Sequence, residues 1–433
     1  MESEKGKIHM LFDGSVLMNG LKQDSGRSGV FYEAYQLLNE FLKKEDIDLT
    51  VIIPDASIQE ANKLKQLKII QDESTPVIAI EMPDLYYTIF EFSTKNKDNL
   101  LKKIIRFIIY RFKRLSYLYF WGKLNKMLKN NLCDVYFSPI GKIPDVVQND
   151  DNVKKYMIIH DLIPLIKKEF YESFGIIRMN LMEKTLTSLP NDNVYFAVSN
   201  STKKDLLKYN SQIDENNVVL AYPAANNFNN KEEKTITNIR EKYHIPEDKK
   251  YIIYLGSVEP RKNVIFAIKN YLKFVEKNNI NELVFVVGGG IWKEYKKAYD
   301  EFISSVPSES VINLGYVDDE DIYELYRNAF IFVCPTFYEG FGVPVLEAMS
   351  AGCPVITSNL SSIPEVIGDA GITINPESDE EMINAYEKMY FDEEFRKSCI
   401  AKGLERANLF SWKKCANVMY EKMCKDLGHE TAV

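Results

Sequence analysis

The sequence predicts an α/β protein built from two Rossmann-like domains. Three observations predict it. Short apolar runs alternate with amphipathic helical stretches along nearly the whole chain. An interval rich in Asn and charge, Asn226–Lys234, divides the chain into halves that each repeat this rhythm. The length of 433 residues, at about 150 per domain, provides for two or three cores rather than one small module.

The strands come first in the argument because their runs are apolar throughout, as parallel strands buried on both faces require. In the first half the candidates are Ile8–Phe12, Leu49–Ile53, Val77–Ile80, Asp134–Phe137, Met157–His160 and Tyr195–Val198. A glycine-bearing turn, Ser25–Gly29, precedes a helix over Val30–Leu42. The second half reads more cleanly, with Tyr251–Leu255, Leu283–Val287, Val311–Leu314, Phe330–Cys334 and Pro354–Thr357 as strands separated by helical segments. A last helix, Ser411–Leu427, follows Phe410 and is too long to be a frayed tail.

Composition excludes several classes. With 45% hydrophobic and 27% charged residues the chain is neither disordered nor coiled-coil. A net charge of −8 argues against nucleic acid as a partner of the whole molecule. The six cysteines show no CxxC spacing and read as reduced core thiols. His9, His160, His244 and His429 never stand at ligand spacing, so no metal site is expected. The N-terminal MESEKGK has no signal-peptide pattern, and no uncharged apolar run is long enough to span a bilayer. The expected location is therefore cytoplasmic.

One segment departs from the acidic average. Leu101–Cys133 carries nine Lys or Arg and no Asp or Glu. Wound as a helix, Lys102–Leu115 sets Lys102, Arg106, Lys113 and Arg114 on one flank and Ile104, Ile108 and Phe112 on the other, with Tyr117, Phe120 and Trp121 following. Basic, aromatic and aliphatic groups so ordered suit an anionic membrane surface, and equally a helix packed on its own domain with solvated lysines.

The chemistry concentrates in three strand-to-helix turns. The first is Cys334–Pro354, where a loop with Gly340 and Gly342 leads into a helix carrying Pro344 in its first turn. The free N–H groups of that helix, beginning near Val343, suit an anion such as phosphate. Glu339 in the loop and Glu347 on the helix could direct two carboxylates at the hydroxyls of one ligand, or could simply be solvated. The second turn, Gly256–Asn263, bears Arg261 and Lys262, which could neutralise a diphosphate or form an ordinary basic turn. That turn reads as exposed. The third places His160 and Asp161 at the end of an apolar strand, where a lone buried histidine is the simpler reading.

Together these strings resemble glycosyltransferase family 4. They are His160-Asp161, Ser199-Asn-Ser-Thr202-Lys-Lys-Asp-Leu206, Gly256 with Pro260-Arg261-Lys262-Asn263, Gly315-Tyr-Val317, and Glu339-Gly-Phe-Gly342 with Glu347. The resemblance implies a GT-B fold, two domains facing across a cleft, with the last helix crossing back to the first. It divides the chain into an acceptor domain, 1–225 joined by 412–433, and a donor domain, 235–411. It further implies a retaining hexosyltransferase that uses a nucleotide sugar and no cofactor. Arg261 and Lys262 would clamp the donor diphosphate, Glu347 the ribose, and Glu339 with the Phe341–Gly342 backbone the donor sugar. His160 would face that sugar, and the backbone of Val317 the nucleobase.

Two departures stand out: Tyr222-Pro223-Ala224-Ala225 replaces the family's proline-glycine entry to the linker, and Arg27 sits between the glycines of the N-terminal loop. HDLIP and EPRKN resemble bacterial mannosyl- and hexosyltransferases of surface-polysaccharide assembly, which favours GDP-mannose over UDP-hexoses and a glycan or lipid-linked glycan acceptor. The competing readings are a non-catalytic sugar-nucleotide-binding scaffold and a sugar-nucleotide epimerase on a similar fold. Asp319-Glu-Asp321 reads as a helix cap rather than a metal-binding pair.

Overall fold

The computed structural model describes residues 6–21, 29–54, 58–80, 122, 124, 126, 133–171, 183–225 and 238–429. The Ser25–Arg27 part of the N-terminal loop and the 226–234 interval lie outside them. So does the basic stretch 101–133, apart from Gly122, Leu124, Lys126 and Cys133.

Two parallel sheets form the framework. The first contains β1 Ile8–Asp13, β2 Ile47–Pro54, β3 Val77–Ile80, β4 Val135–Ser138, β5 Lys154–Ile159, β6 Val194–Ala197 and β7 Val218–Leu220, in the order β3-β2-β1-β4-β5-β6-β7. The second contains β8 Lys250–Leu255, β9 Leu283–Gly288, β10 Val311–Gly315, β11 Ile331–Cys334, β12 Val355–Ser358 and β13 Ile372–Ile374, in the order β10-β9-β8-β11-β12-β13. All recorded pairings are parallel, and β4, β6, β9, β11 and β12 are buried along their whole length. In each sheet the strand order reverses direction at one point, between β1 and β4 and between β8 and β11. There the loops beyond the strand ends diverge and leave a crevice. The fold is GT-B, as expected.

The sequence reading located every strand except β7 and β13. Both are three-residue strands at sheet edges, too short for any periodicity. All six cysteines are buried free thiols. Among the described residues no helix is long and apolar enough to cross a membrane.

Three devices stand out among the contacts that join the domains. The first is the terminal helix, Trp412–Leu427, capped by the Ser411 hydroxyl on Lys414 N. Its buried residues Trp412, Cys415, Ala416, Met419, Met423 and Cys424 form the stripe that 3.6-residue periodicity produces. It packs on the first domain, beside the Gly29–Phe41 helix, where Lys44 Nζ donates to Asn417 Oδ1 at 2.6 Å and Tyr156 OH to Asp426 Oδ2 at 3.0 Å. Burial of Met419 and Met423 contributes about 1.5–3 kcal/mol each.

The second is an aromatic cluster of Tyr222, Phe341 and Phe410, with ring centroids 5.6–5.9 Å apart. The third is polar. The Asn200–Tyr209 helix begins with Ser199, whose hydroxyl accepts Thr202 N, and its first two N–H groups are both taken by Glu365 of the second domain at 2.8 Å. A helix N-terminus attracts a carboxylate by its orphan donors and its dipole, so this contact ties one domain to the other. Tyr222 OH donates to the same carboxylate at 3.0 Å.

Glu365→Ala is expected to lower the thermal midpoint while preserving helix content, because losing an N-terminal acceptor costs about 1 kcal/mol. Small-angle scattering should show the domains wider apart. An unchanged midpoint and profile would mean that the clasp contributes nothing.

Candidate functional site

The turn after β8 is shaped by close backbone approach. Gly256 has φ +149°, and a Cβ on Gly289, itself at φ +131°, would stand 1.9 Å from the Gly256 carbonyl oxygen. Only glycine allows the turns after β8 and β9 to come that close. Beyond it, Pro260–Lys262 make one 3₁₀ turn, and Asn263 at φ 57° redirects the chain into the Val264–Asn278 helix. The turn is buried, contrary to the exposure expected from sequence: Arg261 and Lys262 are 7% and 8% accessible. Their partner, Glu339, covers them from the loop after β11.

Glu339 is the hub of the site. Its Oε1 lies 3.0 Å from Arg261 Nη1 and 2.6 Å from Lys262 Nζ. Arg261 Nη2 also holds Glu259 Oε1 at 2.7 Å, and Nη1 donates to the Tyr338 carbonyl. Burial alone would favour a protonated Glu339, but Arg261 and then Lys262 override it and hold the carboxyl at about 2. The loop is pinned by Ser362, whose hydroxyl bonds the carbonyls of Glu339 and Phe341 at 2.9 and 2.8 Å. At its end Gly342, at φ +108°, forms the N-cap position of the Val343–Ser350 helix.

The first domain meets this loop at the end of β5, which stops at Ile159, so His160 stands just beyond the strand. A Cβ on Gly340 would lie 2.2 Å from the His160 carbonyl oxygen, and Thr202 Oγ1 donates to the Gly340 carbonyl at 3.2 Å. The His160 ring lies between Glu33 Oε2, 3.2 Å from Nδ1, and the Pro139 carbonyl, 2.7 Å from Nε2. Asp161 accepts Ile163 N at 3.0 Å, and its burial pushes the carboxyl up.

Between the domains lies a cavity of about 190 Å³, lined by Glu33, His160, Glu339, Gly340, Val343 and Trp412 among others. Phe341 and Gly342 line it as well, although the Phe341 ring also belongs to the domain-joining cluster. Arg261 and Lys262 connect to it through Glu339. Gly256, Val317 and Glu347 are not among its lining residues. Val317 is buried beside Gly288, and Glu347 is buried within its helix near Tyr326. Pro223 of the atypical linker entry lines the cavity too.

Sequence reasoning missed Glu33, Glu259 and Glu365. Glu33 left a readable signal, an acid one turn before Leu37 on the buried side of an amphipathic helix. Asp321 needs correction. It occupies the N-cap position of the Ile322–Arg327 helix without a side-chain cap bond, and Lys242 Nζ at 2.5 Å and Tyr243 OH at 2.7 Å take its carboxylate instead. Among the described residues no cluster of three or more His, Cys, Asp or Glu could hold a metal ion.

Comparison with known proteins places this geometry. Residues 235–406 match the family described as Glycosyl transferases group 1. The chain is 32% identical over 241 residues to O-antigen chain mannosyltransferase B of Escherichia coli, covering 55% of this chain and 62% of that protein. It is 29% identical over 286 residues to the serotype-specific mannosyltransferase WbdA of Escherichia coli, covering 63% of this chain and 34% of that one. The chain thus spans less than two thirds of either relative. Among solved structures, a glycosyltransferase of Rickettsia africae aligns with a TM-score of 0.67 at 18% identity, over 98% of this chain and 100% of that one. HepE of Anabaena, in complex with UDP and glucose, aligns at 0.64 and 14%, over 96% and 99%. The resemblance read from the motifs is borne out: the second domain carries a glycosyl transferases group 1 match on a GT-B fold.

Glu339 sets a pH dependence with a definite sign. Its carboxyl is held below the ordinary 4.5, so the stability it provides is complete above 4.5 and is lost as pH falls towards about 2. Glu339→Gln leaves two buried cations short of a counter-charge, an effect of about 3–5 kcal/mol for a broken buried pair. The gap in unfolding midpoint between wild type and variant is expected to be widest above pH 4.5 and to close towards pH 2. A constant gap would mean that the cations do not hold this carboxylate charged.

Proposed function

We propose that this chain, with its group 1 glycosyl transferase domain, is a retaining hexosyltransferase. It would move a hexose, with mannose favoured, from a nucleotide sugar to a glycan or lipid-linked glycan. The observation that carries the proposal is the Arg261–Lys262–Glu339 cluster at the switch point of the second sheet, whose Glu339 lines one cavity with His160 of the first domain. The two Escherichia coli relatives, both mannosyltransferases and one of an O-antigen chain, support the donor sugar and the acceptor class.

In the proposed reaction an acceptor hydroxyl oxygen attacks the anomeric carbon while the bond to the donor diphosphate breaks. The hydroxyl proton passes to the departing phosphate oxygen on the same face, which retains configuration. The negative charge growing on the leaving group is opposed by Lys262, Arg261 and the N-terminus of the Val343–Ser350 helix. A lysine ammonium has three donors and a guanidinium five, so both can keep Glu339 and still bind phosphate oxygens. Buried Arg261 Nε has no hydrogen-bond partner within the protein. Glu339 would hold sugar hydroxyls, Glu347 the ribose, and the Val317 main chain the base. Gly256 allows the backbone to approach. Side-chain cations take the part a divalent metal plays elsewhere, so turnover is expected to survive EDTA.

The proposed location is the cytoplasm, at the inner face of the membrane through the basic stretch 101–133. Sedimentation with anionic liposomes tests it. Binding is expected at low salt and should weaken as the Debye length falls from about 10 Å at 0.1 M to about 3 Å at 1 M. Protein that stays in the supernatant at low salt would exclude this contact.

Incubation with GDP-mannose, UDP-hexoses and glycan acceptors tests the reaction. Transfer with the donor's anomeric configuration kept in the product, read by NMR, is the expected result. An inverted linkage would overturn retention, an epimerised donor would indicate an epimerase, and a bound but unchanged donor a scaffold. Arg261→Gln and Lys262→Gln are each expected to lower turnover roughly 10²–10³-fold, compared at equal amounts of folded protein, as losing one preorganised donor does. Near-normal rates in the double variant would remove these residues from the mechanism.

A further inference from the structure

The Gly29–Phe41 helix buries Phe31, Ala34, Leu37, Leu38 and Phe41, and Glu33 is buried with them at 6% accessibility. A carboxylate in that position needs a partner to offset its desolvation. Its Oε2 has one, His160 Nδ1 at 3.2 Å, whereas its Oε1 is buried with no hydrogen-bond partner. Both residues line the cavity between the domains.

The other face of the ring fixes the protons. Nε2 lies 2.7 Å from the Pro139 carbonyl oxygen, which can only accept, so Nε2 carries a hydrogen. Nδ1 faces a carboxylate. The pair therefore shares one further proton, and the ring has no free nitrogen with which to accept another from a substrate.

We propose that Glu33 is a positioning residue, gripping His160 by its Nδ1–H and keeping a positive ring, rather than a proton-accepting nitrogen, at this side of the cavity. The inference rests on the transferase reading and deepens it. His160 then acts as a fixed charge and anchors the turn whose carbonyl abuts Gly340, while the proton of the acceptor hydroxyl goes to the leaving phosphate. The charged groups around the ring agree with this. Burial opposes the imidazolium, but Glu33, the Pro139 carbonyl and Asp161 together raise its pKa. Asp161 in turn feels Arg261 and Glu339 from the second domain. From the terminal helix Cys415 faces Glu33 as a neutral thiol, its pKa raised by burial and then by that carboxylate.

The test begins without substrate. The chain has four histidines, so NMR titration can follow His160 in the free protein. Glu33→Gln is expected to lower the His160 midpoint by about one pH unit or more, the scale of losing an adjacent opposite charge. Glu33→Asp keeps the charge but withdraws it by one carbon, and should give a midpoint between the two. In turnover, Glu33→Gln should reduce kcat about tenfold with donor KM nearly unchanged. The alkaline limb of its pH profile should move to lower pH, and Glu33→Asp should recover part of the rate. An unmoved His160 midpoint in both variants would overturn the proposal. So would a loss of kcat with the alkaline limb in place, which is what a packing role alone predicts. Absence of transfer by the wild type, with the midpoint shifts intact, would instead count against the transferase reading.

Discussion

Everything at the centre of this molecule depends on one buried carboxylate shared by two cations. Glu339 comes from the loop after β11, and Arg261 and Lys262 from the turn after β8, neighbouring strands on either side of the point where the strand order reverses. Each charge alone would be expensive to bury, and removing one partner of a buried pair does more harm than the pair does good. The local chain is built to hold that geometry. Glycines let the turns after β8 and β9 nearly touch, Asn263 accepts a left-handed conformation to restart a helix, and the Ser362 hydroxyl fixes the Glu339 loop at two carbonyls.

That rigid cluster makes the domain contact specific. Gly340 is the position where the second domain touches the His160 backbone, and any side chain there would push the domains apart. Around it the joining elements differ in kind. The Tyr222–Phe341–Phe410 cluster and the terminal helix are apolar and tolerate small adjustments, whereas the Glu365 clasp depends on two directed hydrogen bonds at a helix end. Under the proposed function, opening for substrate and closing for reaction would break the directed contacts while the terminal helix keeps the domains attached.

The framework was legible in the sequence because parallel strands buried on both faces leave short apolar runs bounded by turn residues and alternating with helical stretches. The edge strands β7 and β13 were not, since three residues carry no period. The candidate residues Arg261, Lys262, Glu339 and His160 were legible by their place at strand ends, but their environment was not. Arg261 looked exposed because Glu339, which buries it, lies far along the chain on the neighbouring strand's loop. Asp321 looked like a cap because a helix follows it, although its carboxylate is taken by Lys242 and Tyr243 from another segment. Glu33 and Glu365 share this cause. Each is an acid whose meaning depends on a partner that folding brings to it.

The acids also change what the paired cations can do. Read alone, Arg261 and Lys262 suggest a positive patch that draws in a diphosphate. In the folded protein Glu259 and Glu339 stand against them at 2.6–3.0 Å, so the four charges nearly cancel and little field extends into the cleft. Under the proposed function, affinity for a phosphate would then arise at contact, from donors these side chains have left over and from the N–H groups of the Val343–Ser350 helix. Such a site discriminates by geometry more than by charge. Glu339 also keeps the cations in place without a bound anion, because its own charge replaces part of the water that burial removed. The residue read from sequence as a sugar contact is thus the counter-ion that allows Arg261 and Lys262 to be buried at all.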